Sequence, residues 1–151
     1  MINKRTIAVV VPAYNEESQI GIVIESMPEF VDRIVIVNDN SKDDTLSKCL
    51  NYINTKHNKT NVTFEIEKIE RTYHNEALLV LEKLNRAEEN FFTPSIIENK
   101  DPDNDRIIVI SNTKNCGVGG TIARGYKWCK DNGVDCTAVM AGDAQMDPSE
   151  L

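Results

Sequence analysis

Three continuous runs of β-branched residues constrain the fold of this chain more than any other feature. They cover residues 7–11 (IAVVV), 34–37 (IVIV) and 107–110 (IIVI). A strand with one face in solvent alternates apolar and polar residues, whereas a strand covered on both faces is apolar throughout. Each run therefore predicts a central strand of a sheet with helices on both faces. A shorter fourth core strand is predicted at residues 136–140.

Helical patterns lie between these runs. The first run is followed by a predicted helix with Asn15 as its N-cap and Pro28 as its stop, and the second by a helix capped by Ser41. After the third run, a Gly-rich turn leads into a predicted helix that carries Ile122, Tyr126 and Cys129 and that Gly133 closes. Because strands and helices alternate, we expect right-handed βαβ crossovers. The predicted fold class is α/β, with a Rossmann-like, mostly parallel sheet and helices on both faces.

Residues 54–105 interrupt this alternation. Val62, Phe64 and Ile66 alternate with polar residues, which predicts a half-exposed strand near a sheet edge. An amphipathic helix is predicted from four apolar residues: Ala77, Leu78, Leu81 and Leu84. Residues 93–94 and 101–105 have the composition of turns and loops. We expect this stretch to elaborate one crossover within a single domain of residues 1–151.

Composition excludes several classes of protein. The chain has 24 acidic and 17 basic residues and a net charge of −7, which argues against phosphate-driven binding of nucleic acid. No apolar run approaches the roughly 18 residues of a membrane span. The four cysteines form no C-x-x-C pair, so a zinc site is not expected. Reduced cysteines serving as small apolar residues predict a cytoplasmic protein.

Polar or glycine-rich segments follow all four predicted core strands. They are residues 12–16, 38–41, 115–120 and 141–148. In folds of this class, ligands bind outside the carboxyl ends of the strands, so these segments should converge on one site. The glycine segment suits either an anion contact or a plain turn. Asp143 and Gln145 offer hard oxygen ligands for Mg²⁺ or Mn²⁺, although loop solvation and capping would also explain them.

These segments carry a family resemblance. Residues 9–16 (VVVPAYNE), 36–41 (IVNDNS), 115–120 (NCGVGG) continuing to Gly125, and 140–148 (MAGDAQMDP) occur in the order and approximate spacing of family-2 glycosyltransferases. The chain resembles the nucleotide-sugar-binding half of their GT-A fold. The pattern is most similar to that of dolichol- and polyprenyl-phosphate sugar transferases. The resemblance covers about 100 residues and leaves residues 54–105 outside.

The resemblance implies a role for each matching residue. The nucleotide-sugar contacts would come from Pro12, Tyr14, Glu16, Asp39, Asn115, Gly117 and Gly119. Asp39 matches the family aspartate that hydrogen-bonds the base. Asp143 matches the second aspartate of the metal motif D-x-D, and Gln145 a glutamine often found two residues later. The implied cofactor is a divalent cation, Mg²⁺ or Mn²⁺. Ala141 stands where the family has the first aspartate, which reduces the expected ligand set.

The last residues bear on how much of the enzyme is present. Asp147, Pro148 and Glu150 form a capping box, which predicts a helix that continues beyond Leu151. In the family, the catalytic base and the acceptor site follow the metal motif. We therefore expect the catalytic residues beyond Leu151. The truncated sheet would then expose apolar surface and favour self-association.

The resemblance implies an inverting, metal-assisted transferase of the hexosyl class that acts in cell-envelope biosynthesis. Its donor would be a UDP- or GDP-sugar, and its acceptor a polysaccharide or a lipid phosphate such as polyprenyl phosphate. The missing part would place the protein at the inner face of the membrane. A catalytically silent nucleotide-binding or regulatory module is the alternative. A sugar nucleotidylyltransferase is disfavoured because no Gly-rich loop with Arg or Lys follows Val11.

Overall fold

A five-stranded sheet forms the centre of the structure. The structure is a computed structural model and describes residues 4–55, 58–60, 62, 72 and 74–150. The strands are β1 (Ile7–Ala13), β2 (Arg33–Asn38), β3 (Ser95–Ile97), β4 (Ile107–Asn112) and β5 (Cys136–Val139). Their order is β3-β4-β2-β1-β5, and all neighbours are parallel except β3, which runs antiparallel to β4. The prediction of an α/β fold with a mostly parallel sheet is confirmed.

Helices cover both faces of this sheet. Helices α1 (Ile20–Ser26) and α2 (Thr45–Ile53) pack on one face, and α4 (Gly117–Asp131) packs on the other. Side chains of a strand point alternately to its two faces. Accordingly, Val9 and Val11 belong to the core under α1 and α2, whereas Val10 packs against Trp128 of α4. This double burial explains why the central strands are apolar throughout.

The predicted caps of α1 and α2 are wrong. Asn15 has a left-handed backbone, with φ of 58°, and its side-chain oxygen accepts a hydrogen bond from the N–H of Lys42 at 2.8 Å. The Ser41 hydroxyl accepts from the N–H of Asn15 at 3.0 Å. Helix α2 begins only at Thr45, whose N–H donates to Asp43. The two side chains therefore join the loops after β1 and β2, which sequence reasoning treated separately.

Helix α4 buries one side against the sheet. Its buried residues are Thr121, Gly125, Lys127, Trp128 and Cys129. Of the apolar residues named from the sequence, Cys129 is buried and Tyr126 is 43% exposed. Gly125 allows close packing on β1, since a Cβ atom built there would lie 2.4 Å from Cγ1 of Val10. Gly133 ends the helix in the left-handed region, with φ of 67°, as expected.

Residues 54–105 contain one predicted helix and one strand that was not predicted. Helix α3 (Glu76–Glu88) is present, but Leu81 and Leu84 are more than half exposed. A 3₁₀ turn (Glu89–Phe91) leads from it into β3, which is too short to show a strand period. Phe64 and Ile66 of the predicted edge strand lie outside the described residues, so that strand stays a prediction.

Two buried asparagines attach this stretch to the sheet. Oδ1 of Asn58 accepts from the N–H of Ile107 at 2.6 Å, and its Nδ2 donates to the Ile107 carbonyl at 3.3 Å. Oδ1 of Asn99 accepts from the N–H of Val109 at 2.8 Å. These side chains supply hydrogen bonds that a neighbouring strand would otherwise provide to β4.

The described part of the chain has no helix with the length and hydrophobicity that a membrane-spanning segment requires.

Candidate functional site

The sheet order places a cleft beside β1. The chain passes from β1 to β2 on one side of β1 and later returns to β5 on the other side. In open α/β sheets, such a reversal opens a crevice at the carboxyl ends of the strands. A cavity of about 430 Å³ lies there, between the segments that follow β1, β2 and β5 and the first turns of α4. All four predicted segments contribute to this cavity.

Most of the predicted site residues line the cavity. They are Pro12, Tyr14, Glu16, Asp39, Asn115, Gly117 and Asp143. Gly119 and Gln145 do not line it. Val118 and Thr121 line it as well and were not singled out from the sequence. Their spacing was the available signal, because residues three positions apart in a helix lie on the same face.

Hydrogen bonds between loops hold the cavity wall that follows β1. The N–H of Glu16 donates to the Thr45 hydroxyl at 2.8 Å, in addition to the contacts of Asn15 with Ser41. Gly142 packs closely on this segment, since a Cβ atom there would lie 3.0 Å from the carbonyl oxygen of Pro12. The loop after β5 therefore lies directly against the segment after β1.

Backbone strain occurs in the loop that carries Asp143. Ala144 has φ of 56°, a left-handed conformation that costs a residue with a Cβ atom of order 1 kcal/mol. Within the same turn, the N–H of Gln145 donates to Oδ1 of Asp143 at 3.1 Å. The turn leaves the Asp143 side chain at the cavity and the Gln145 side chain exposed.

Asp39 is the most heavily hydrogen-bonded side chain at the cavity. Its Oδ1 accepts from Nδ2 of Asn112 at 2.9 Å, from the Cys116 N–H at 2.9 Å and from the Cys116 thiol at 3.2 Å. Its Oδ2 accepts from the Gly117 N–H at 2.9 Å. Burial of the carboxyl raises its pKa, but these hydrogen bonds outweigh burial and hold the pKa below the ordinary value. Asp39 is therefore charged although it is only 3% exposed.

Glu16 and Asp143 bring two further carboxyl groups to the cavity. Burial raises the pKa of Glu16, and the negative charges of Asp143 and Asp43 raise it further. With Asp39, the described lining residues include three acids and neither lysine nor arginine. An anionic ligand would therefore need positive charge from elsewhere.

A metal site is not complete in the described part of the chain. No group of three or more His, Cys, Asp and Glu side chains is placed to hold an ion there. Asp143 provides one carboxylate at the cavity, and Ala141 provides no ligand atom from its side chain. The residues fit a hard divalent ion only if a ligand supplies further oxygens, which is how Mg²⁺ commonly binds beside substrate phosphates.

Two of the four cysteines behave as predicted, as small apolar core residues. Cys49 and Cys129 are buried, and burial raises the pKa of their thiols to about 12 and about 11, respectively. Cys136 is exposed, and Cys116 is partly buried beside Asp39. The prediction that all four fill the core is therefore wrong for these two.

Comparison with known families tests the resemblance. Residues 8–69 match the model of glycosyl transferase family 2. The match covers less than half of the chain, and over that part it supports the resemblance to family-2 glycosyltransferases. It includes β1 from its second residue, α1, β2 and α2, and with them Pro12, Tyr14, Glu16 and Asp39 of the cavity. The glycine segment and the loop after β5 lie outside the match. A comparison with curated proteins found no match.

Proposed function

We propose that this chain binds the donor of a family-2 glycosyltransferase, a nucleoside-diphosphate sugar, in the cavity at the carboxyl ends of β1, β2 and β5. The observation that carries the proposal is the convergence of four separate segments on one cavity, two of which belong to the family match. A volume of about 430 Å³ suits a ligand of this class, since small-molecule sites commonly measure 300–1,000 Å³.

The two ends of the cavity suit different parts of such a donor. Pro12, Ala13 and Val118 provide apolar surface beside Asp39, which is suited to a base and its ribose. The N–H groups of Cys116 and Gly117 already donate to Asp39, so they offer little to a phosphate. We therefore place the diphosphate toward Asp143, and we propose that Asn115 and Gly117 contact the nucleoside.

A divalent ion, Mg²⁺ or Mn²⁺, would stabilise the charge that grows on the leaving diphosphate. Asp143 would hold it, with Gln145 as a weaker neutral ligand. The described lining residues include three acidic side chains and neither lysine nor arginine. This favours a metal ion, because a diphosphate alone would meet only negative charge. Gln145 would have to turn toward the cavity, since its side chain is exposed in this structure.

The residues of this chain would bind and orient the donor. In an inverting transfer, the acceptor oxygen attacks the anomeric carbon opposite the leaving diphosphate. We propose a hexosyl donor carrying uracil or guanine, and an acceptor that is a polysaccharide or a lipid phosphate such as polyprenyl phosphate. A lipid phosphate is already anionic and depends less on a carboxylate base than a hydroxyl does. No residue of this chain is assigned as that base.

A catalytically silent nucleotide-binding module is the second candidate. Ala141 in place of an acidic residue, and a single carboxylate at the metal position, favour it. Such a module would bind the nucleotide with little dependence on metal.

Calorimetric titration of UDP and GDP, with and without Mn²⁺, separates the two candidates. We expect Mn²⁺ to raise the affinity of one of them about tenfold, within the usual range of coupling between two ligands. Asp143→Asn should remove this gain. Asp147→Asn is the matched control, because Asp147 is an exposed carboxylate of the same loop that bonds Ser149 instead.

Three results are informative. Absence of binding by both nucleotides would refute the donor site. Binding that Mn²⁺ does not change would favour the silent module. A full Mn²⁺ effect in Asp143→Asn would refute the assignment of Asp143.

A further inference from the structure

A second cavity lies at the edge of the sheet, between the start of β3 and the middle of α4. Its volume is about 260 Å³. The lining residues are Glu89, Phe92, Thr93, Pro94, Ser95 and Arg124. None of them lines the cavity beside β1, so the two cavities are built from different side chains.

Arg124 brings a guanidinium group to this second cavity, and most of its donors have no partner. Its Nε donates to the Ser95 hydroxyl at 2.7 Å. A guanidinium offers five N–H donors. Within the described part of the chain, those on its two terminal nitrogens form no hydrogen bond. Burial lowers the pKa of Arg124, and the charges of Glu89 and Asp131 do not offset it. The group has therefore lost water without gaining a charged partner.

The other cations near Arg124, and the other arginines, are better satisfied. Every other arginine in the described ranges donates to a carboxylate or to backbone carbonyls; these are Arg5, Arg33, Arg86 and Arg106. On α4 itself, Lys127 pairs with Asp131 and Lys130 pairs with Glu88. Arg124 is thus the cation of this helix that is left without a carboxylate.

Two hydroxyl groups add donors beside the guanidinium. The Ser95 hydroxyl accepts from Arg124, so its own O–H is free to donate. The Thr93 hydroxyl forms no hydrogen bond within the described residues. A guanidinium fork together with two hydroxyls matches a tetrahedral oxyanion, because phosphate oxygens accept several hydrogen bonds in different directions.

The remaining walls bear on what else the ligand carries. Phe92 and Pro94 provide apolar surface, which suits an organic group attached to the phosphate. The carbonyl of Pro94 accepts from the N–H of Thr113 at 2.9 Å, which fixes this wall to the end of β4. Glu89 is exposed and forms no ion pair with Arg124 within the described part of the chain. Its charge would weaken the binding of an anion without filling the cavity.

We propose that the cavity between β3 and α4 is a second binding site, which takes the phosphate group of a small phosphate ester and holds it through Arg124, Ser95 and Thr93. The site does not depend on the proposed donor function, because the two cavities have no lining residue in common.

NMR titration with phenyl phosphate tests this site. Shifts of the Thr93 and Ser95 amides and of the Arg124 Nε–H report on it, whereas shifts of Gly117 and Asp143 report on the cavity beside β1. Phenyl phosphate should bind about tenfold more tightly than inorganic phosphate, because its ring covers apolar surface. It should also bind more tightly than benzoate, whose planar carboxylate has fewer acceptor positions and a smaller charge.

Three variants and one control accompany the titration. Arg124→Lys keeps the charge but loses the fork of parallel N–H groups, and it should weaken binding about tenfold. Thr93→Val removes one hydroxyl at similar volume and should also weaken binding. Glu89→Gln removes a repelling charge and should strengthen binding about threefold. Lys130→Gln is the matched control, because it removes a positive charge from α4 at a residue that does not line this cavity; its affinity should stay close to that of the wild type.

Several outcomes would overturn the proposal. Absence of shifts at Thr93 and Ser95, or shifts confined to the cavity beside β1, would remove the site. An equal loss of affinity in Lys130→Gln and Arg124→Lys would show diffuse attraction to the charge of α4. Inorganic phosphate or benzoate binding as tightly as phenyl phosphate would refute a phosphate ester as the ligand. If Arg124→Lys does not fold, Thr93→Val and Glu89→Gln still carry expectations of opposite sign.

Discussion

Replacing Gly125 by alanine tests the closest contact between a helix and the sheet. The added Cβ atom would lie 2.4 Å from Cγ1 and 3.0 Å from Cγ2 of Val10. Val10 is fully buried in the central strand β1, paired with β2 on one side and with β5 on the other. The side chain therefore has no free space to move into, and α4 must shift away from the sheet.

The magnitude follows from two opposing effects. Alanine is favoured over glycine inside a helix by about 1 kcal/mol. Inserting a methyl group into a packed core costs about 1–3 kcal/mol. Gly119→Ala is the matched control on α4, because a Cβ atom there meets nothing within 4 Å. The helix preference largely cancels between the two variants, so Gly125→Ala should be less stable than Gly119→Ala by about 1–3 kcal/mol.

Urea unfolding followed by circular dichroism measures this difference, which corresponds to about 2–12 °C in melting temperature for a chain of this size. The double variant Val10→Ala/Gly125→Ala should recover part of the free energy of unfolding that Gly125→Ala loses, as expected for residues in contact. If Gly125→Ala is as stable as Gly119→Ala, the packing of α4 on β1 is not as close as the structure shows.

Two further predictions concern polar groups. Asn58→Ala should lower the free energy of unfolding by about 1–3 kcal/mol, measured by urea titration, because the buried N–H of Ile107 loses its partner. The carbonyl of Ile107 keeps the hydrogen bond from Nδ2 of Asn99 at 2.8 Å. Hydrogen bonds from Thr6 and the charge of Arg5 lower the pKa of Asp135 to about 2. Asp135 therefore stabilises the protein above its ordinary pKa of 3.8, and this contribution is lost as pH falls toward 2. Asp135→Asn should lower the urea midpoint at pH 7, and its difference from the wild type should shrink between about pH 4 and pH 2; a difference that is constant with pH would contradict this.

The positions and the burial of the central strands could be predicted from the sequence. A strand covered on both faces must be apolar at every position, and the runs at residues 7–11, 34–37 and 107–110 satisfy this condition locally. The position of the cavity followed from the same reasoning, because parallel strands bring their carboxyl ends to one edge. Seven of the nine predicted site residues line the cavity for this reason.

The helix starts could not be predicted in the same way. Asn15 and Ser41 are common N-cap residues, and each follows a strand at the expected distance. In the folded protein they find partners in each other's loops, 26 residues apart in the chain. A capping preference describes one helix in isolation, and it is overridden when two loops lie side by side.

The buried side of α4 was likewise decided by tertiary packing. Its sequence carries Ile122 and Tyr126 as well as Cys129, and hydropathy alone does not say which of them is buried. The sheet instead receives Gly125, because a helix can approach Val10 only where it has no side chain. Close approach depends on the shape of both surfaces, and hydropathy does not record shape.

The partners of Asp39 show most clearly the difference between what the sequence determines and what only the tertiary structure decides. The sequence by itself determined that an acidic residue follows β2 at the ligand edge of the sheet. Only the tertiary structure decided that its carboxylate binds Asn112, Cys116 and Gly117, more than 70 residues further along the chain. Local patterns specify which residues can be buried, since burial depends on each residue's own polarity. The pairing of buried polar groups depends on which distant segments meet, and that is fixed only when the sheet assembles.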